Sequence, residues 1–221
     1  MTAGGTPAAS LLKTLGLVST VCGLIIVGAY QGTYDAAAAN RRLALERTVF
    51  NVVPAAKSMT EWQATPQGIL PAGSETVAGA VKFYAAYDAE GALAGIAAEG
   101  AAKGYADTVR ILFGYQPGCQ CITGIGVVSL RETPGIGDKI VTDKAFLANF
   151  TALDARLNAE LSALAHEIRT VKHGTKASPW QVDAISGATI TSRAVGKAVN
   201  DAAQSLLPKL APHLEKVSTK P

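Results

Sequence analysis

Apolar and polar positions change rhythm several times along the chain. From Thr14 to Tyr34 no residue is charged, and Leu15, Leu17, Val18, Val21, Leu24, Ile25, Ile26 and Val27 fill the centre of the run. At about 1.5 Å per helical residue, roughly twenty residues cross a hydrocarbon core of about 30 Å, which predicts one transmembrane helix over 14–34 after a short tail at 1–13. From Ala36 to Val53 the apolar positions Leu43, Leu45, Val49, Phe50 and Val53 predict an outward continuation of that helix, stopped by Pro54. Met59 to Thr76 holds Pro66, Gly68, Pro71 and Gly73 without clean periodicity and reads as a linker, so 35–76 is taken as extended helix and linker.

Period-two alternation then takes over. Gly79–Tyr87 and Ala92–Ala98 predict one hairpin about Asp88–Gly91, while Asp107–Tyr115 and Ile122–Leu130 predict a second about Gln116–Cys119. Phe146, Phe150, Leu153, Leu157, Leu161 and Leu164 recur at steps of three and four and predict a helix over Lys144–Ala165. A short strand over Glu167–Lys172, a loop over His173–Trp180 and a helix over Arg193–Leu207 complete the reading, with 209–221 as a tail. The order implies an α+β domain over 77–208 with a mostly antiparallel sheet.

Composition narrows the class. A chain of 221 residues with 48% hydrophobic content and a net charge of +3 fits one folded domain plus a membrane segment, and the charge is too small to suggest nucleic acid. The apolar run exceeds the roughly 7 to 15 residues of a signal-peptide core, so a retained anchor in membrane lipid is expected despite Lys13 and the small residues Ala36–Ala39. Lys13 lies on one side of it and Arg41, Arg42 and Arg47 on the other, so charge alone leaves the orientation open. Cys119-Gln-Cys121 could close a small disulfide ring in an oxidising compartment; neither the cysteines nor His166, His173 and His213 form a metal-ligand pattern.

Two segments carry chemistry. In Glu132-Thr133-Pro134-Gly135-Ile136-Gly137-Asp138-Lys139-Ile140, Pro134-Gly135 suits the centre of a type II turn, and Gly137 removes a side chain where backbone would approach a flat ligand. The alternative is an ordinary tight loop. In Asp183-Ala-Ile-Ser186-Gly187-Ala188-Thr189, small and hydroxylic residues precede a helical run at Val195, Ala198, Val199, Ala202, Leu206 and Leu207, with Ser192 just ahead of it. Alone, that string reads as a helix cap or turn.

Taken together the two segments resemble the Glu-Thr-Pro-Gly-Leu-Gly-Asp-Lys and Asp-x-x-Ser/Thr-Gly-Ala-Thr signatures of the FMN-binding G subunits of Rnf complexes. The plan of anchor, extended helix and one C-terminal domain is similar over nearly the full chain. The resemblance implies FMN esterified through its phosphate to Thr189, with the backbone of Ser186, Gly187 and Ala188 around the phosphate and Thr133, Pro134 and Gly135 lining the isoalloxazine. Asp183 would orient the loop or be read by the flavin transferase that installs the cofactor, since like charges argue against its touching a phosphate. Lys139 and Arg193 would be phosphate or ring partners, or plain solvated charges.

The resemblance further implies a redox carrier on the extracytoplasmic side of a bacterial inner membrane, working with other Rnf subunits that couple ferredoxin:NAD+ electron flow to Na+ or H+ transport. The chain itself shows no dinucleotide fingerprint and no cysteine set for an iron–sulfur cluster. Cys119-Gln-Cys121 departs from the family pattern. The alternatives are the C subunit of a Na+-translocating NADH:quinone oxidoreductase and a freestanding membrane-anchored flavoprotein reductase.

Overall fold

In the computed structural model, which describes residues 8–73 and 78–220, the N-terminal apolar run and its continuation form one helix, α1 (Ala8–Val52). It is long and apolar enough to cross a membrane, with a mean hydropathy of 2.0 over its best window and none of that window buried by protein. The protein is membrane-anchored. Most of the expected tail at 1–13, and the expected boundary at 76/77, lie outside the described residues. The chain divides into two compact units, one ending at Ala44 and one beginning at Leu45, so the last turns of α1 belong to the second unit.

That second unit is built on seven antiparallel strands in the order β2-β1-β3-β4-β5-β6-β7. They are β1 (Ser58–Thr65), β2 (Gly68–Pro71), β3 (Val81–Tyr87), β4 (Leu93–Lys103), β5 (Thr108–Gln116), β6 (Cys121–Ser129) and the short β7 (Leu153–Asp154). Between β6 and β7 lie α2 (Lys139–Thr142) and α3 (Lys144–Ala148); after β7 come the parallel pair β8 (Arg169–Val171) and β9 (Gln181–Asp183), then α4 (Thr189–Leu210).

Because successive strand side chains point to opposite faces, the sheet has two cores. Phe83, Ala85, Tyr87, Ile96, Ala98, Val109, Ile111 and Phe113 pack with Val195, Ala198, Val199, Leu206 and Leu207 of α4. The alternate positions Tyr84, Ala86, Ala97 and Leu112 pack with Val49, Val52 and Val53 at the end of α1. Gly114 and Gly126 provide the close approach there, since an added Cβ would collide with the Val52 carbonyl and the Thr48 side chain respectively. Thr123 Oγ1 donates to the Val52 carbonyl at 2.6 Å and so satisfies a terminal helix acceptor.

Three expectations are corrected. The stretch read as a linker is the β1–β2 hairpin: Pro66 and Gln67 make its turn, closed by Thr65 Oγ1 donating to the Gly68 carbonyl at 2.8 Å, and Pro71 sits on the edge strand where a missing N–H is tolerated. The helix read over Lys144–Ala165 stops at Ala148. Asn149 Nδ2 donates to the carbonyls of Ala145 and Phe146, Leu153 enters the sheet opposite Ile122, and Leu161 adopts φ 54° in a turn held by Asn158 Oδ1. The C-terminal tail is part of the fold: α4 runs to Leu210, a 3-10 helix follows over Ala211–Val217, and Val217 is fully buried.

Candidate functional site

Beyond β6 the chain makes the turn that Pro134-Gly135 predicts. The Ile136 N–H donates to the Thr133 carbonyl at 3.2 Å and Gly135 has φ 75°, the type II geometry. Gly137 serves a different purpose from the expected one. A Cβ there would lie 2.7 Å from Glu132 Cβ and 3.1 Å from Thr191 Oγ1, so the missing side chain makes room for protein rather than for a ligand.

At the other motif, β9 ends at Asp183, the backbone bends at Gly187 with φ 83°, and Thr189 is already the first residue of α4. Ser192 is therefore inside the helix instead of capping it. It is fully buried, donates to the Ala188 carbonyl at 2.9 Å and accepts from the Ile185 N–H at 3.1 Å, which ties the loop down from beneath. No side chain caps α4 and no acidic residue stands in its first turn. Among the described residues, the N–H groups of Thr189, Ile190 and Thr191 and the Thr189 hydroxyl meet no protein hydrogen-bond partner. Helix-start amides left in this state, at the positive end of the helix dipole, attract anions.

The two motifs, some fifty residues apart in sequence, meet. Glu132, Thr133, Ile136 and Gly137 line one cleft of about 500 Å³ with Gly187, Ala188, Thr189, Ile190 and Thr191, and Tyr105 of the β4–β5 turn completes it. Tyr105, Ile136 and Ile190 are 68%, 49% and 52% exposed, so the cleft presents bare apolar surface beside free backbone donors. That combination and volume are those of a small-molecule site.

Not every predicted residue lies there. Pro134 and Gly135 shape the turn without lining the cleft. Asp183 and Ser186 border a second hollow of about 350 Å³ with Lys139, Asn149 and His173. The Asp183 carboxylate accepts from the Gly174 N–H at 2.8 and 3.0 Å and stands 3.5 Å from His173 Nδ1, so it anchors the loop before β9 and stays clear of the anion-attracting helix start. Arg193 faces a separate surface with Glu167, Lys197 and Asp201, and neither it nor Lys139 lines the cleft.

Three residues escaped sequence reasoning. Tyr105 sits in a turn without a motif. Thr191, 2% exposed, donates to Glu132 Oε2 at 3.2 Å and so joins the two motif loops. Asn149, 8% exposed, accepts from the Asp183 N–H and from Lys176 Nζ, both at 3.1 Å, and so connects α3 to β9 and the loop before it. Only the Glu-Thr-Pro-Gly string hinted at the second of these, through its unassigned carboxylate.

Cys119 and Cys121 form a disulfide across the β5–β6 turn, with Cα atoms 5.2 Å apart. Gln120 between them has φ 51°, and its carbonyl accepts from the Ala155 N–H at 3.1 Å. The cleft abuts the Thr108 end of β5, so the cystine lies at that strand's other end.

Comparison with known proteins agrees with this geometry. A family described as the FMN-binding domain matches residues 104–204, a range that contains both motif loops and Tyr105. The chain is 36% identical over 101 residues to the G subunit of the Na+-translocating ferredoxin:NAD+ oxidoreductase complex of Acetobacterium woodii, covering 46% of this chain and 43% of that one. It is 34% identical over 111 residues to the G subunit of an ion-translocating oxidoreductase complex of Pasteurella multocida, covering 50% of each. The chain thus spans about half the length of these curated relatives. Against the corresponding protein of Haemophilus influenzae it is 30% identical over 203 residues, covering 87% of this chain and 86% of the relative.

Among solved structures, the crystal structure of NqrC from Shewanella oneidensis superposes with a TM-score of 0.59 at 21% identity, over 81% of this chain and 98% of that one, which establishes the shared α+β fold. With the fold, the FMN-binding domain and a relative aligned over most of both lengths in agreement, the chain belongs to the family of G subunits of ion-translocating oxidoreductase complexes.

Proposed function

We propose that this protein is an electron-carrying subunit of a membrane-bound ion-translocating ferredoxin:NAD+ oxidoreductase, the Rnf complex, with FMN joined by a phosphoester to Thr189. The observation that carries the reading is the convergence of the two motif loops on one cleft, with an unpartnered threonine hydroxyl and three free amides at the start of α4. The residues fit the group. A phosphate on Thr189 Oγ1 would meet the Thr189–Thr191 amides, supported by the Gly187-Ala188 backbone, and Ser186 would border the approach. Tyr105, Thr133, Ile136 and Ile190 would hold the flat ring system against apolar surface, and the Pro134-Gly135 turn would fix the loop that carries Thr133.

A flavin there supplies one- and two-electron chemistry; the chain supplies binding, orientation and local electrostatics. Asp183 keeps the attachment loop in shape. A threonine hydroxyl is a poor nucleophile, so attachment falls to a separate flavin transferase. The ferredoxin and NAD+ sites fall to other members of the complex. Ion movement falls to them as well, because the apolar core of α1 offers no ionisable pathway. The Cys119–Cys121 cystine supports an extracytoplasmic, periplasmic-side domain on the inner membrane, where disulfides persist.

The deciding experiment is flavin fluorescence of the denatured full chain from a host that contains the transferase. Covalent flavin survives denaturation, and Thr189→Ala is expected to lose all of the signal while folding as the parent does. A parent chain without bound flavin, or a Thr189→Ala chain that retains it, ends the proposal. Orientation is checked separately with two reporters fused after Pro221, one that works only outside the cytoplasm and one that works only inside it. The first is expected to be active, and activity of the second alone reverses the placement.

A further inference from the structure

Glu132 is the one charged side chain among the described residues that line the cleft. Its carboxylate is held from several sides. Oε1 accepts from the Ala106 N–H at 3.2 Å and the Asp107 N–H at 3.5 Å, and Oε2 accepts from Thr191 Oγ1 at 3.2 Å. Two glycines flank it: a Cβ on Gly104 would collide with Oε1, and a Cβ on Gly137 would lie 3.0 Å from Oε2. The side chain thus bridges the three segments that make the cleft: the β4–β5 turn with Tyr105, the Thr133–Gly137 loop and the first turn of α4. The nearby cations Lys139 and Arg193 lie along other surfaces.

We infer that Glu132 sets the reduction potential of a flavin in this cleft, holding it low by presenting a fixed carboxylate with no opposing cation among the described residues that line the cleft. The inference rests on the FMN reading above. Each electron added to the ring system adds negative charge, and a nearby fixed negative charge opposes that addition. The opposition is stronger in a partly buried site than in water. Hydrogen bonding from three donors keeps the carboxylate in place during the change, so the cleft cannot relax by swinging it away. A low potential suits a carrier exchanging electrons with strongly reducing partners. Glu132 is in this sense a positioning residue with an electrostatic output, separate from the Thr189 linkage.

The test is a redox titration of the full, flavin-loaded chain followed by flavin absorbance, with covalent flavin per chain measured in parallel after denaturation. Glu132→Gln keeps an acceptor for the amides and a polar partner for Thr191 while removing the charge. It is expected to retain covalent flavin and to raise the ratio of reduced to oxidised flavin at least tenfold at a fixed ambient potential, about 30 mV for a two-electron couple. Thr191→Val removes a hydrogen bond but leaves the charge and is expected to move the ratio less than threefold.

Ile136→Glu adds a second carboxylate at an exposed cleft position and is expected to lower the ratio at least threefold, which keeps the idea testable should Glu132→Gln fold poorly. A loaded Glu132→Gln chain that titrates like the parent overturns the inference, as does Thr191→Val matching Glu132→Gln or an Ile136→Glu chain without a shift. Loss of covalent flavin in Glu132→Gln alone assigns the residue to assembly and overturns it too. A parent chain without covalent flavin is the distinct outcome in which the FMN reading itself fails.

Discussion

Asp154, on β7, shows how one side chain ties the sheet edge to solvent conditions. Arg156 Nε and Nη2 donate to its two oxygens at 2.9 and 2.7 Å, and the Arg156 N–H adds a third bond at 3.1 Å. The Arg156 side-chain hydrogen bonds are the main reason its carboxyl titrates below the usual 3.8. A carboxyl whose pKa is lower folded than unfolded contributes stability that is fully present above about pH 4 and is lost as pH falls through the folded value. Asp154→Asn is therefore expected to lower the urea midpoint at about pH 7, with the gap to the parent shrinking toward about pH 3. An identical gap at both pH values would show that this ion pair has no part in acid unfolding. Nothing in the sequence near Arg156 advertises this pair, because apolar spacing alone puts Asp154 on a helix that does not form.

At the level of elements, alternation was a dependable guide and apolar spacing was not. The strands around Phe83, Ile96, Phe113 and Ile122 were legible because period-two patterning with turn residues between has few other readings. Leu153, Leu157, Leu161 and Leu164 fit a helical template equally well, yet once Asn149 has ended α3 Leu153 joins the sheet, Leu157 and Leu164 pair with each other in an isolated bridge, and Leu161 sits in the turn between them. The start of α4 lies one turn ahead of the predicted Arg193 for a related reason. Ser192 has cap chemistry, but its hydroxyl is spent inside the helix on Ala188, and the start at Thr189 carries no side-chain cap at all. That missing cap is what leaves Thr189 and its neighbouring amides open for a phosphate. On the FMN proposal, the local capping rule fails where the phosphate would bind.

Across the whole molecule, the sequence could point to two motifs but not to the space between them. Thr133, Gly187 and Thr189 were recognisable, whereas Tyr105 and the Glu132–Thr191 link exist only because β4, β5, β6 and α4 bring their ends together. The expected linker and tail were part of the domain for the same reason: Trp62, Ile69 and Val217 bury apolar area that is visible only in three dimensions.

The seating of Val49, Val52 and Val53 under the sheet sets where this protein can be cut. Burial of a valine side chain is worth about 1.5 to 3 kcal/mol, so losing the two fully buried ones forfeits roughly 3 to 6 kcal/mol of a typical 5 to 15. A fragment begun at Leu45 is expected to be soluble and to melt cooperatively, while one begun at Lys57 is expected to aggregate or melt far lower; equal melting of the two would show the helix end to be dispensable. A protease severing the anchor upstream of Leu45 would release an intact folded domain, whereas a nick after Pro54 would strip its floor and leave debris.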